Sequence, residues 1–152
     1  MNQFAGKTVI VSGGAEGIGL AIAKALGEQE MNVVLADIDA ANLHLASEAL
    51  VQAGVPVLAV TLDVAEETQW QAAVQQAVER FGKIHMLVNN AGAAWGEPFD
   101  EFTEAGWDRT MDLNVKTPFF LTQKLHGLLK AASTPERPAK VLMIASIDGM
   151  KS

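Results

Sequence analysis

Lys7-Thr8-Val9-Ile10-Val11-Ser12-Gly13-Gly14-Ala15-Glu16-Gly17-Ile18-Gly19 is the stretch whose reading decides the fold. Its first half is a short β-branched run, its second a glycine loop, and beyond it Ile18, Ala21, Ile22, Ala25 and Leu26 recur at helical spacing. The expected order is strand, turn, helix. Glycines at such a turn let the chain reverse tightly, let a ligand approach the backbone and let the helix lie close to the strand. A helix N-terminus offers free N–H groups and the positive end of its dipole, so a dinucleotide pyrophosphate can be held there. The spacing is Gly-x3-Gly-x-Gly, not the commoner Gly-x-Gly-x-x-Gly. The alternative is a plain tight turn, and three glycines at this place in a first βα unit weigh against it.

Working outward, the same unit repeats. Val33–Ala36 reads as a second strand, followed by Leu43, Ala46, Leu50 and Ala53 at helical period, with Gly54 placed to stop the helix. Val55 to Leu62 reads as a third strand, and Trp70, Val74, Ala77, Val78 and Phe81 keep one helix face apolar up to Gly82. Ile84 to Val88 is the fourth strand. Two helices are expected next, about Thr103–Met111 and Leu113–Ala131, then a polar break over Ser133–Pro138 and a fifth strand over Val141–Ala145. Near-continuously apolar strands alternating with amphipathic helices specify a parallel sheet covered on both faces, wound by right-handed crossovers. The predicted fold is a doubly wound α/β domain of Rossmann type, five strands, over residues 1–152, with no linker dividing it.

Composition narrows the function classes. The 152 residues are 49% hydrophobic and 19% charged, which fits one core and excludes a disordered tail. The absence of cysteine removes disulfides, thiol nucleophiles and thiolate metal sites, and is consistent with a reducing compartment. A net charge of −7 argues against nucleic-acid and anionic-membrane partners and leaves small molecules or proteins. No apolar run approaches the ~18 residues of a membrane span, and no signal peptide is evident at Met1–Lys7, so the expected location is the cytoplasm. His44, His85 and His126 stand apart in the pattern without a second ligand at metal spacing, so no metal is expected.

Asp37 ends the second strand, where a carboxylate can accept hydrogen bonds from an adenosine ribose. Its alternative role is to cap the next helix, which Asp39 can fill equally well. Two unit charges ~4 Å apart at an effective dielectric of ~20 interact by ~4 kcal/mol, so Asp37 should reject a 2′-phosphate. NAD is therefore expected over NADP. Glu16 adds negative charge in the loop, and neither Ile38 nor Asp39 supplies the cation a 2′-phosphate would want.

With Asp63-Val64 after the third strand, Asn89-Asn90-Ala91-Gly92 after the fourth, Asn114 within a helix and Ile144-Ala145-Ser146 at the end of the fifth, the whole chain resembles the short-chain dehydrogenase/reductase family. The resemblance implies a pyrophosphate held by Gly13, Gly17, Ile18 and Gly19. Ser12 stands where the family usually has threonine and keeps the hydroxyl. Asp63 and Val64 would contact the adenine, and Asn90, Ala91 and Gly92 would support the sheet and line the cofactor site. Asn114 matches the asparagine that holds a water in the family's proton relay. Ser146 matches the serine that hydrogen-bonds the reacting oxygen of the substrate. The implied activity is hydride transfer between a nicotinamide and a secondary alcohol or ketone, and the implied assembly is a homo-oligomer through the 113–131 helix, the alternative for that helix's wide apolar band being deeper burial against its own sheet.

One departure is severe. The family's Tyr-x-x-x-Lys, its general acid/base, is absent because the 152 residues contain no tyrosine. The sequence is accordingly expected to be the N-terminal portion of a dehydrogenase, inactive alone, with its fifth strand at a raw edge that invites dimerisation or poor solubility. A different class of function is a non-catalytic NAD-binding chain, a sensor or a subunit completed by a partner. Within the enzymes, Trp95-Gly96 and the insertion at Ser133–Pro138 loosely resemble 3-oxoacyl-carrier-protein reductases, against which Asp37 argues because those usually take NADPH. The stretch Trp95 to Phe102 either borders the substrate mouth or is a plain surface loop.

Overall fold

The computed structural model describes residues 2–147; the two ends of the expected 1–152 domain, residue 1 and residues 148–152, lie outside the described residues. The glycine-loop strand β1 (Thr8–Ser12) is central, flanked by β2 (Asn32–Asp37) on one side and β4 (Met86–Asn89) on the other. β3 (Val57–Thr61) lies outside β2 and β5 (Lys140–Met143) outside β4, all parallel, in the order β3-β2-β1-β4-β5. The chain winds outward from β1 to β3, then crosses back to β4, so the winding direction reverses between β1 and β4. A crevice opens at such a switch, outside the carboxyl ends of the strands.

The strands read as continuous apolar runs because both their faces are buried. Val9, Val11, Val33, Leu35 and Val88 form one layer with α1 (Gly17–Glu28) and α2 (Ala40–Gln52). Ile10, Val34, Ala36 and Leu87 form the other with α3 (Glu67–Phe81) and α5 (Thr117–Ala132). Coverage on both faces holds for β1, β2 and β4 but not for β5. All four β5 residues are exposed, and Val141 and Met143 line an open groove of about 540 Å³ with Phe119, His126 and Leu129 of α5.

Two expectations about helices are corrected. On α1 the buried residues are Gly19, Ala23 and Gly27, not Ile18, Ala21 and Ala25. The helix packs inward through a line of small residues, so close that a Cβ on Gly27 would meet both methyl carbons of Val55, just before β3, at 2.8 Å. The two helices expected on either side of residue 112 are one unbroken helical run. α4 (Glu104–Met111) passes through a π-helical turn (Asp112–Lys116) directly into α5. The extra residue of a π turn shifts the phase of everything after it, and here it aims Leu121, Leu125 and Leu129 at the sheet.

His85 ties β1 to the start of β4. Its Nδ1 accepts from the Thr8 N–H at 3.0 Å, while its own N–H donates to the Thr8 carbonyl at 2.9 Å. Burial, then Lys7 and Lys83, push its pKa below the ordinary 6.5. A neutral ring is what the Thr8 N–H requires. Below pH 6.5 the unfolded chain takes up a proton that the folded one refuses, so this contribution to stability is complete above that pH and is lost as pH falls through the lowered folded value. Thermal melts at pH 7.5 and 5.5 should therefore show a smaller acid-induced drop in Tm for His85→Asn, which keeps an acceptor at the Nδ1 position without a titrating ring. An equal drop in both proteins refutes the coupling.

Candidate active site

At the switch point, Ser12 joins the β1 turn to the β4 turn. Its buried Oγ donates to the Val88 carbonyl at 3.3 Å and accepts from the N–H groups of Asn90 and Ala91 at 3.0 and 3.1 Å. The Asn90 amide donates to the Gly13 carbonyl at 2.9 Å. A Cβ on Gly19 would strike that same carbonyl and, at 2.5 Å, the Asn90 Nδ2, so only glycine lets α1 start here. Gly13 and Gly17 have φ of +64° and +55°, a conformation that side chains resist. Three of the sequence's four loop glycines are thus required by geometry.

The N–H groups of this loop divide into two sets. Those of Gly13 and Gly14 donate to the Ala36 carbonyl, and that of Ala15 donates to Asp37 Oδ2 at 3.0 Å. From Gly17 onward the amides form the first turn of α1, and its N-cap, Glu16, contributes no side-chain hydrogen bond. α2 and α4, by contrast, are capped by Asp39 and Thr103. An uncapped first turn is an anion-binding arrangement, and Gly13, Gly17 and Gly19 add no Cβ beside it. These residues fit a pyrophosphate.

Asp37 is not the cap of α2; Asp39 is, accepting from the Asn42 N–H at 3.0 Å. Asp37 Oδ1 takes the Asp39 N–H at 3.0 Å, each carboxylate oxygen retains a further lone pair, and Asp37 lines the crevice. The crevice, about 590 Å³, is lined by Gly13, Gly17, Ile18, Asp37, Asp63, Val64, Asn90, Ala91 and Gly92 from the sequence-based set. Ile18, 63% exposed, faces this space instead of the core. Ser12 and Gly19 lie beneath the lining and shape it. Sequence reasoning missed Ala93, Arg109, Asp112 and Leu113, which close the far wall. Arg109 is the one cation in a lining that also holds Glu16, Asp37, Asp63 and Asp112.

The far wall is organised by Asn114. From within the π turn, its Oδ1 accepts from the Ala93 N–H at 2.9 Å and its Nδ2 donates to the Ala93 carbonyl at 2.7 Å. Its signal in the sequence was the asparagine itself; the π turn that aims it had none. Ser146 lies beyond the end of β5, exposed, on the strand next to the one that ends in Asn89. The Ile144 N–H donates to the Asn89 carbonyl at 3.0 Å, which sets Ser146 on the same edge of the sheet as the Asn90–Gly92 turn. Among the described residues no group of histidines and acids is placed to hold a metal. His44 pairs instead with Glu48 at 3.4 Å on the surface of α2.

Comparison with known proteins fits this architecture. The profile of the family described as short chain dehydrogenase matches residues 7–152. Similar curated proteins include the rhamnolipids biosynthesis 3-oxoacyl-[acyl-carrier-protein] reductase of Pseudomonas aeruginosa, 32% identical over 99% of this chain and 58% of its own length. The galactitol 2-dehydrogenase of Agrobacterium fabrum is 34% identical over 95% of this chain and 54% of its own. Among solved structures, a short chain dehydrogenase/reductase from Burkholderia phymatum in complex with NAD superposes with a TM-score of 0.92 at 31% identity, covering 100% of this chain and 53% of that one. The Pseudomonas aeruginosa RhlG/NADP active-site complex gives 0.91 at 32%, with 100% and 60% covered. The chain thus spans little more than half the length of these relatives.

The Ser12 hydroxyl satisfies two backbone N–H groups at once. Ser12→Ala leaves both without their acceptor and should lower the free energy of unfolding by about 1–3 kcal/mol, read as a fall in the urea midpoint with an unchanged slope. A midpoint equal to the wild type's would show that the turn does not depend on this bridge.

Proposed function

The chain belongs to the short-chain dehydrogenase family, and from that premise we propose that the protein is an NAD-dependent oxidoreductase acting on a secondary alcohol or ketone. The observation that carries this reading is the pairing, in one crevice, of an uncapped α1 N-terminus with the carboxylate of Asp37 at the end of β2. When bound, the reduced nicotinamide supplies a hydride to the substrate carbonyl carbon, whose oxygen gains a proton.

In this reading the amides of Gly17, Ile18 and Gly19 hold the pyrophosphate, and Asp37 accepts from the ribose hydroxyls. Asp63 and Val64 border the adenine. Asn90, Ala91 and Gly92 shape the centre of the crevice over the Ser12 bridge. Ser146 hydrogen-bonds the reacting oxygen. The Asn114 amide is engaged on Ala93, so any water of a proton relay is held by the backbone of the π turn, where the Thr117 N–H reaches back to the Asp112 carbonyl and the α-helical ladder is interrupted. The 152 residues have no tyrosine, so the phenol that would exchange this proton in the family is not among them. That same lack favours a second reading, non-catalytic nucleotide binding, which binding without turnover would support.

The reading extends to assembly and place. Trp107, Met111, Val115 and Phe119 recur every four residues along α4, the π turn and α5, and all are exposed. This apolar stripe supports a homo-oligomer formed through that helical run, whose later part is residues 113–131. No described helix is long and apolar enough to cross a membrane, which is compatible with the cytoplasmic location we propose.

Asp37 also sets the expected nucleotide. A 2′-phosphate brought within ~4 Å of a carboxylate meets a repulsion of ~4 kcal/mol at an effective dielectric of ~20, while tenfold in affinity is ~1.4 kcal/mol. Titration of the full-length protein should give NADH a Kd at least about tenfold below that of NADPH. Asp37→Ala should weaken NADH by about tenfold and leave NADPH unchanged or tighter. Equal wild-type affinities, or an Asp37→Ala protein that keeps the wild-type ratio, remove Asp37 from the ribose site.

A further inference from the structure

The segment that leaves β4 is fixed to α4 by a closed ring of contacts. The Trp95 indole occupies the space over Gly106, where a Cβ would strike its Nε1, Cδ1 and Cε2 atoms. Gly106 donates its N–H to the Thr103 hydroxyl at 3.1 Å. Thr103 donates its own N–H and its hydroxyl to Glu97 Oε2, at 2.9 and 3.1 Å. Glu97 lies two residues after Trp95, so the chain itself closes the ring. Just before it, Asn114 grips both backbone groups of Ala93. A loop so tied does not read as a loose surface connection.

The ring holds a large aromatic side chain that is still 42% exposed. Its place follows from the sheet. Asp37 ends β2 on one side of β1, whereas the Trp95 segment rises from the end of β4, on the other side, beside the strand that leads to Ser146. Ala93, two residues before Trp95, lines the crevice itself. Trp95 therefore stands just beyond the crevice lining, which reaches Ala93, on the side away from Asp37. The charge around it is mostly negative: from Trp95 to Arg109 the ionisable residues are Glu97, Asp100, Glu101, Glu104 and Asp108 against the single cation Arg109. Charges on exposed groups act over about 10 Å at 0.1 M salt, so an anionic substrate approaching this wall is repelled and a neutral one is not.

We propose that Trp95, seated over Gly106 and ringed by Glu97 and Thr103, is the aromatic wall of the substrate side of the crevice and selects an uncharged ketone or alcohol that carries an apolar group. The proposal rests on reading the chain as part of a hydride-transfer enzyme. It concerns specificity, and it makes Gly106 a positioning residue that acts through Trp95.

The test uses the full-length protein with NADH and a matched pair of ketones, methyl 4-acetylbenzoate and 4-acetylbenzoate. The neutral ester should have a kcat/KM at least about tenfold above the carboxylate's at low salt, and the gap should narrow as salt is added. Trp95→Ala should raise the KM for the ester by about tenfold while the NADH Kd stays within about twofold, and Trp95→Phe should recover most of the loss. Gly106→Ala, which displaces the indole, should raise the same KM, and its effect should vanish in a Trp95→Ala background. A carboxylate used as well as the ester, or a Trp95→Ala protein with an unchanged KM or a proportionate loss of NADH binding, overturns the proposal. The ester/carboxylate comparison needs no variant and stands if Trp95→Ala fails to fold. Turnover of neither ketone with NADH still bound rejects the hydride-transfer reading. The wall is then judged by the ester's effect on bound-NADH fluorescence, and a response that is absent, or equal in wild type and Trp95→Phe and Trp95→Ala proteins, overturns it as well.

Discussion

The distance between the β1 turn and the β4 turn is the constraint on which the rest of the structure depends. It is set by the absence of one atom, the Cβ that Gly19 lacks where the Gly13 carbonyl and the Asn90 amide meet. With that atom gone, α1 begins directly over the carboxyl ends of the central strands, and Ala23 and Gly27 continue the same close approach along its length. Dispersion and apolar burial reward such proximity, because the strands beneath are bulky and the helix supplies the hollow. A methyl group at residue 19 would lift the helix and carry its N-terminus away from the crevice. Packing and ligand geometry here are one requirement.

The opposite wall solves a related problem by different means. A single α-helix from residue 104 to residue 132 cannot at once place Gly106 under Trp95, aim Asn114 at Ala93 and keep Leu121, Leu125 and Leu129 in the core, since each demand fixes the phase of the helix. The π turn adds one residue and relaxes the conflict. π turns cost hydrogen-bond geometry and are found where something else requires them. In this case the requirement is the pair of bonds that fasten the β4 turn to the helix.

The sequence made the strands legible because burial on both faces leaves little but valine, isoleucine and leucine in β1, β2 and β4. It made the glycine loop legible because position and composition agreed there. The face of α1 was not legible, since a pattern of large apolar residues selects Ile18 and Ala25, while the buried line consists of glycine and alanine, which carry almost no hydrophobic signal. Ile18 is apolar because it lines the crevice. The π turn was read as a break because Asp112 interrupts the apolar period and nothing in Met111-Asp112-Leu113 distinguishes a gap from a phase shift. The ring around Trp95 depends on residues eleven apart in a segment without periodicity, which no local pattern encodes. Asp37 and Asp39 looked interchangeable as caps, and only the fold, by placing the Ala15 N–H over Asp37, separates them.

The division of the loop amides explains how an acidic crevice can suit an anionic ligand. Gly13 and Gly14 donate their N–H groups to the Ala36 carbonyl and Ala15 donates to Asp37, which fixes that carboxylate in place. The amides of the first turn of α1 are a separate set, backed by a partial positive charge of roughly half a unit at the helix end, and such an end stabilises an anion by roughly 0.3–2 kcal/mol. Holding a pyrophosphate therefore needs no lysine or arginine in the loop, and the loop has none. Removing Asp37 would leave the first-turn amides in position but free the Ala15 N–H, so in the proposed reading its substitution alters which nucleotide is chosen more than whether a pyrophosphate is held. Selection by a fixed negative charge, separate from anchoring by neutral dipoles, also accounts in the proposed reading for Glu16 beside the phosphate position: the dipoles act over bond lengths, whereas its carboxylate, though in the crevice lining, is exposed and screened by salt.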